Sequence, residues 1–193
     1  MTARDVVLLC VLLTLSACVT FERAPVAKLS CDPALAGEWR ALKNGPSNRT
    51  IVVTADCTMH WPEENGGTYT TTLEGFALDE SHYLVFTPTV ADRLMSAEGD
   101  ILRNAKKDSV FLARYRVDGD RALVWLADPD EAMRPATKGL ATGARHGDTH
   151  VHIKGSRSAI AKLLRARGDT MFAGKQESRG TMQLQRIAPG ATP

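Results

Sequence analysis

The stretch Ser109–Asp128, SVFLARYRVDGDRALVWLAD, decides how the chain is to be read. Two apolar runs flank Asp118-Gly119, and Asp-Gly supplies the positive φ values that a two-residue hairpin turn needs. Side chains alternate across an extended strand. Phe111, Ala113, Tyr115 and Val117 therefore share one face of the outgoing strand, and Leu123, Trp125 and Ala127 share one face of the return. A hairpin of this quality in the middle of a chain predicts an antiparallel β fold.

The flanking segments agree. Upstream, a first strand starts at about Gly37, after a turn at Asp32-Pro33. TIVVTADCTMHW (50–61) is rich in β-branched residues, PEENGG (62–67) breaks the chain, and TYTTTLEGFAL (68–78) and HYLVFTPT (82–89) are strand-like. Residues 90–108 are polar and mixed, a long connection with a partial helix. Downstream, Asp128 reads as an N-cap with Pro129 in the first helical position, and Pro135 ends that short helix. DTHVHIKG (148–155) reads as one strand. Ser156 opens a second helix with Ile160, Leu163 and Leu164 as its apolar stripe and Gly168 as its stop. GTMQLQRI (180–187) is the last strand. The expectation is a mainly β, α+β fold: an antiparallel meander of six to eight strands forming a small barrel or a strongly bent sheet, with two short helices. Closure would remove edge strands that invite aggregation. Length suits one domain over 31–188 with a loose tail at 189–193.

The amino-terminal stretch sets the address. Val6 to Leu15 is an apolar run about half as long as the roughly 20 residues a membrane span needs. With Arg4 ahead of it, it fits the middle of an export signal. Leu15-Ser16-Ala17-Cys18 follows and resembles the lipobox of bacterial lipoproteins: an aliphatic residue, two small residues, then cysteine. The resemblance implies a signal peptide over 1–17, cleavage before Cys18, and acylation (diacylglycerol and palmitate) of that residue. Residues 18–30 would then be a short lipid-anchored tether. Val19 stands where an aspartate would retain a lipoprotein in the inner membrane, which implies an outer-membrane, periplasm-facing location. A secreted protein cut elsewhere, or a short buried helix, is the alternative.

Four cysteines are present. Cys10 leaves with the signal and Cys18 takes the lipid. Cys31 and Cys57 remain, and an even pair in an oxidising compartment reads as a disulfide. Closing that loop is worth roughly 3 kcal/mol on the chain-entropy model. The formal net charge is +2, from 24 basic and 22 acidic residues, with no block of like charge. No nucleic-acid partner is expected on that basis.

Gly37-Glu38-Trp39 resembles the Gly-x-Trp of the first lipocalin strand. There the tryptophan plugs one barrel end and a basic side chain from a late strand lies across it. The resemblance implies Trp39 as a structural plug with Arg186 as its partner. Gly-x-Trp also opens unrelated β-domains, where the tryptophan is simply core.

His146, Asp148, His150 and His152 have equal parity on an extended strand and would face one side, a set suited to zinc, copper or nickel. The competing reading is that they form the solvated side of an amphipathic strand whose core side is Thr149, Val151 and Ile153. His60 and Trp61 end a strand and either line a mouth or pack. Gly-x-Ser-x-Gly, His-Glu-x-x-His, Ser-x-x-Lys and a phosphate-cradling loop are all missing from the sequence. The leading expectation is thus a non-catalytic binding or envelope-accessory module for an apolar or amphiphilic small molecule or an envelope protein, with no cofactor beyond the covalent lipid. The alternatives are a metal-handling protein or enzyme using the histidine set, and an inhibitor of a hydrolase.

Overall fold

Twelve strands and three helices make up the computed structural model, which describes residues 18–43, 49–63, 65–95, 105–106, 108–134, 140–146, 150–173 and 181–188. The leader over 1–17, Pro135, Asp148 and the tail over 189–193 lie outside the described residues. The strands are β1 Cys18–Phe21, β2 Gly37–Lys43, β3 Thr50–Val53, β4 Thr58–Pro62, β5 Thr68–Thr72, β6 Glu74–Leu78, β7 Ser81–Phe86, β8 Phe111–Asp118, β9 Arg121–Leu126, β10 Thr142–His146, β11 His150–Lys154 and β12 Thr181–Arg186. The helices are α1 Pro88–Met95, α2 Pro129–Met133 and α3 Arg157–Ala173, and a single 3₁₀ turn spans Pro33–Leu35.

Nine strands form one antiparallel sheet in the order β5-β4-β3-β2-β12-β9-β8-β7-β6. The edge strands β5 and β6 are neighbours in sequence, separated only by Leu73. Consecutive Cα atoms stand about 3.8 Å apart, so one residue cannot bridge a flat sheet nine strands wide. The sheet must curl until its edges meet, which makes it a nearly closed barrel. The expected mainly β meander is therefore present. The hairpin at its heart is β8–β9, with Asp118 opposite Arg121 and Gly119 at φ 59°.

Two runs expected as single strands are each two. TIVVTADCTMHW folds back at Thr54–Cys57, where Cys57 takes φ 60° and the Asp56 carboxylate accepts from the Thr54 hydroxyl. TYTTTLEGFAL breaks at Leu73. These turns account for much of the excess over six to eight strands.

A second sheet, β1-β11-β10, lies against the barrel wall. β1 pairs parallel with β11, and β10–β11 is a hairpin. The tether expected over 18–30 is corrected here: its first four residues are a strand, with Val19 and Thr20 buried and Phe21 0 % exposed. Valine and phenylalanine at alternate positions drive this, since both enter the apolar layer between the barrel's outer face and α3. Phe21 also exchanges two backbone hydrogen bonds with Val110, at 2.7 and 2.8 Å, and Ser30 exchanges two with Gly75, both at 2.9 Å. The segment is bolted down at both ends.

The two cores alternate through the barrel wall. On β7, Leu84 points into the barrel and Tyr83 out towards α3; on β8, Ala113 points in and Leu112 out. Inside are Leu35, Trp39, Ile51, Met59, Leu84 and Tyr115. Helix α1 starts earlier than the expected partial helix, because Thr87 caps it: the Val90 N–H donates to Thr87 Oγ1. Leu94 of α1 packs on the barrel interior, and Arg93 pairs with Glu63 at 3.2 Å and lies over the Tyr69 ring. Helix α3 is long, not short, and runs through Gly168. No stop is needed there; a Cβ at Gly168 would sit 2.7 Å from the Tyr83 hydroxyl, so the helix uses glycine to pass that ring.

Candidate functional site

Three places in this fold gather chemistry-bearing residues: the seam between β1 and β11, the plug at one end of the barrel, and a groove beside that plug.

At the seam, Thr20 stands opposite His152 and Cys18 opposite His150. The Thr20 hydroxyl lies 2.7 Å from His150 Nε2 and 3.0 Å from His152 Nδ1. One hydroxyl can donate to one ring nitrogen while accepting from the N–H of the other ring. The ring centroids are 6.5 Å apart. His150 is 6 % and His152 2 % exposed, so the solvated-face reading of these histidines is overturned. The single-strand placement also changes. His146 and His150 lie on two antiparallel strands, β10 and β11, and stand opposite each other across them. Asp148 lies outside the described residues. Among the described residues, no three histidine, cysteine, aspartate or glutamate side chains are grouped as a metal site would require.

Glu22 continues the seam. Its N–H donates to the Ile153 carbonyl at 2.8 Å, and its carboxylate accepts from the Gly155 N–H at 2.9 Å and from Arg23 at 3.0 Å. The Gly155 N–H, and after it Arg23, hold the Glu22 carboxyl below the usual carboxylate range. A carboxyl depressed on folding contributes stability that is present above its unfolded pKa and lost as the pH falls through its folded value. Glu22→Gln is therefore expected to flatten the loss of stability as the pH falls below the ordinary carboxylate range, read as urea midpoints at each pH. Parallel profiles for the two proteins would refute this role for the carboxylate.

At the plug, Trp39 is 1 % exposed and donates from Nε1 to the Leu35 carbonyl at 2.8 Å. Arg186 lies across it, with the guanidinium carbon 4.1 Å from the ring centroid. The β2–β12 register sets this stack, since Trp39 and Arg186 are direct cross-strand partners. The guanidinium also donates to the Ala34 carbonyl at 2.9 Å and to the Ala36 carbonyl. Gly37 takes φ 137°, a backbone conformation that other residues rarely adopt, and the Arg186 guanidinium lies where its Cβ would be. The Cys31–Cys57 disulfide fastens the 3₁₀ turn to the β3–β4 turn, with Cα atoms 5.7 Å apart.

The groove encloses about 660 Å³ and opens to solvent; Asp32, His82, Arg114, Tyr115, Arg116 and Trp125 are among its walls. Asp32 caps the 3₁₀ turn through Ala34 and accepts from the Tyr115 hydroxyl at 2.6 Å. Burial first, then the hydrogen bond and charge of Asp32, push the Tyr115 phenol far above its ordinary range, so it stays a donor. His82 Nδ1 lies 3.6 Å from Asp32, and Arg114 pairs with Asp169 of α3 at 2.5 Å. Arg114 faces Trp125 across β8–β9. The groove thus offers an aromatic wall and guanidinium groups, residue types enriched at protein contact surfaces. Sequence reading missed Thr20, Glu22, Asp32, His82, Arg114 and Arg116. Only Asp32, beside Cys31 in an Asp-Pro turn, carried a local signal.

Among the described residues no helix is long and apolar enough to cross a membrane. Comparison with protein-family models, with curated proteins and with solved structures gives no match.

Proposed function

We propose that this chain is a bacterial lipoprotein, cut before Cys18, acylated there, and held on the periplasmic side of the outer membrane as a non-catalytic binding or envelope-accessory module. The observation that carries the reading is the lipobox Leu15-Ser16-Ala17-Cys18 behind a short apolar run, followed at once by residues that belong to the fold: Val19, Thr20 and Phe21 are buried. Cleavage before Cys18 keeps Val19, Thr20 and Phe21 in the fold. Cleavage a few residues later would remove Val19 or Phe21 from the core, at about 1.5–3 kcal/mol for each buried side chain. Several acyl chains, at about 0.8 kcal/mol per buried methylene, make the attachment stable.

The barrel interior is occupied by Trp39, Met59, Leu84 and Tyr115 among others. That supports contact at the groove and outer wall over storage of an apolar ligand inside. In this reading His150 and His152 serve the fold through Thr20.

Labelled palmitate supplied to cells making the full chain tests the proposal, together with the intact mass of the mature protein. The expected result is a labelled, membrane-bound chain starting at residue 18 and carrying acyl mass, with label lost in Cys18→Ser. A mature wild-type chain that takes up no palmitate, or a Cys18→Ser variant that still takes it up, would overturn the assignment.

A further inference from the structure

We infer that the domain is seated on the bilayer by one end of its small sheet, in a fixed orientation, with no flexible spacer between lipid and fold. The inference rests on the lipoprotein reading and goes beyond it. Lipid anchors usually work through a length of free chain, whose composition sets its reach. Here there is none to spare. If residue 18 is acylated, the next three residues are already sheet: Val19, Thr20 and Phe21 are buried and register with Val151, His152 and Ile153. Phe21 is tied to Val110 of the barrel and Glu22 to Ile153 and Gly155. Releasing β1 to serve as a spacer would expose Val19 and Phe21 and pull Thr20 away from two buried imidazoles.

The register then names the surface. Across the small sheet, Cys18, His150 and His146 form one row, and Phe21, Ile153 and Gly143 form another three residues further on. At about 3.3 Å per residue the rows are roughly 10 Å apart along the strands. The row containing Cys18 faces the lipid and the row containing Phe21 faces away. The partner is a lipid surface met by the end of the sheet that carries the Cys18, His150 and His146 row, and it holds the groove at a constant angle to the membrane.

The test uses the mature acylated protein in vesicles whose headgroups carry a nitroxide quencher. A fluorophore is placed on Arg145→Cys, next to the lipid-facing row, or on Lys154→Cys, at the far end of β11; both positions are exposed. Quenching at 145 is expected to exceed that at 154 by about twofold or more. Inserting about ten Gly/Ser residues between Cys18 and Val19 gives a reach of roughly 17 Å and is expected to bring the two positions to the same level. Equal quenching at both positions in acylated protein without the insert would overturn the fixed seat while leaving the lipoprotein reading intact. A difference that persists undiminished with the insert would show a membrane-binding face independent of the anchor, and would also overturn it. A mature chain without acyl mass would overturn both.

Discussion

Trp39→Ala is expected to be among the most damaging single substitutions in the domain, costing about 3–5 kcal/mol, the range for truncating a fully buried large aromatic. At roughly 2–4 °C per kcal/mol for a domain of this size, the melting temperature should fall by about 6–20 °C. The loss has three parts. The indole fills one end of the barrel beside Leu35, Ile51 and Tyr115. Its N–H is the donor for the Leu35 carbonyl. Its face supports the Arg186 guanidinium, a contact worth about 0.5–2 kcal/mol.

Arg186→Ala should be milder, but not independent of it. With the ring gone, the guanidinium still reaches the Ala34 and Ala36 carbonyls but has nothing beneath it. A double-mutant cycle should therefore show a coupling of about 0.5–2 kcal/mol, above the scatter expected for unrelated sites. Urea melts of the four proteins give the numbers. A Trp39→Ala cost below about 1 kcal/mol, or strict additivity with Arg186→Ala, would mean that the stack is geometry without energetic content.

That pair was legible in the sequence only through the Gly-x-Trp resemblance, because its members lie 147 positions apart. The β8–β9 hairpin was legible directly, since Gly119 is where a backbone with positive φ must be and glycine adopts it without strain. The β3–β4 turn hid itself. It places Cys57, not a glycine, at φ 60° and relies on Thr54 and Asp56 side chains to hold the reversal. β5 and β6 were read as one because Leu73 carries no turn signal between a threonine-rich stretch and an apolar one; what separates them is barrel closure, a property of nine strands together.

The histidines show a different limit. Alternation distinguishes two faces of a strand, but it cannot say that both are covered. β11 is the middle strand of its sheet: Val151 and Ile153 enter the apolar layer, and His150 and His152 are buried on the opposite parity against Thr20. Thr20 itself lay in a stretch with too few residues to show a period. Gly168 reads as a helix stop by any local rule, and only the position of the Tyr83 hydroxyl, 85 residues away in sequence, explains why the helix carries it inside.

Replacing Cys31 and Cys57 together by alanine is expected to cost roughly 3 kcal/mol, and so to lower the melting temperature by about 6–12 °C. The loop joins residues 26 apart, long enough for the loss of chain entropy in the unfolded state to be substantial, and the Cα separation of 5.7 Å is one that the native backbone offers without rearrangement. The effect should also be local. The bridge holds Cys31 and Asp32 against the β3–β4 turn, and the 3₁₀ turn that follows presents the Leu35 carbonyl to Trp39 and the Ala34 and Ala36 carbonyls to Arg186. Without it, the plug is anchored by its own hydrogen bonds, by the Tyr115–Asp32 contact and by the Ser30–Gly75 pair upstream. Amide exchange should therefore quicken at residues 33–36 more than in β8 or β9, and Trp39→Ala should cost less in the double-alanine background than in the parent. Chain treated with a thiol reductant should melt like the double variant, and chain oxidised in air like the disulfide-bonded parent. Identical melting of oxidised and reduced protein would show that packing alone holds the plug, and would remove the disulfide from the forces that maintain this barrel end.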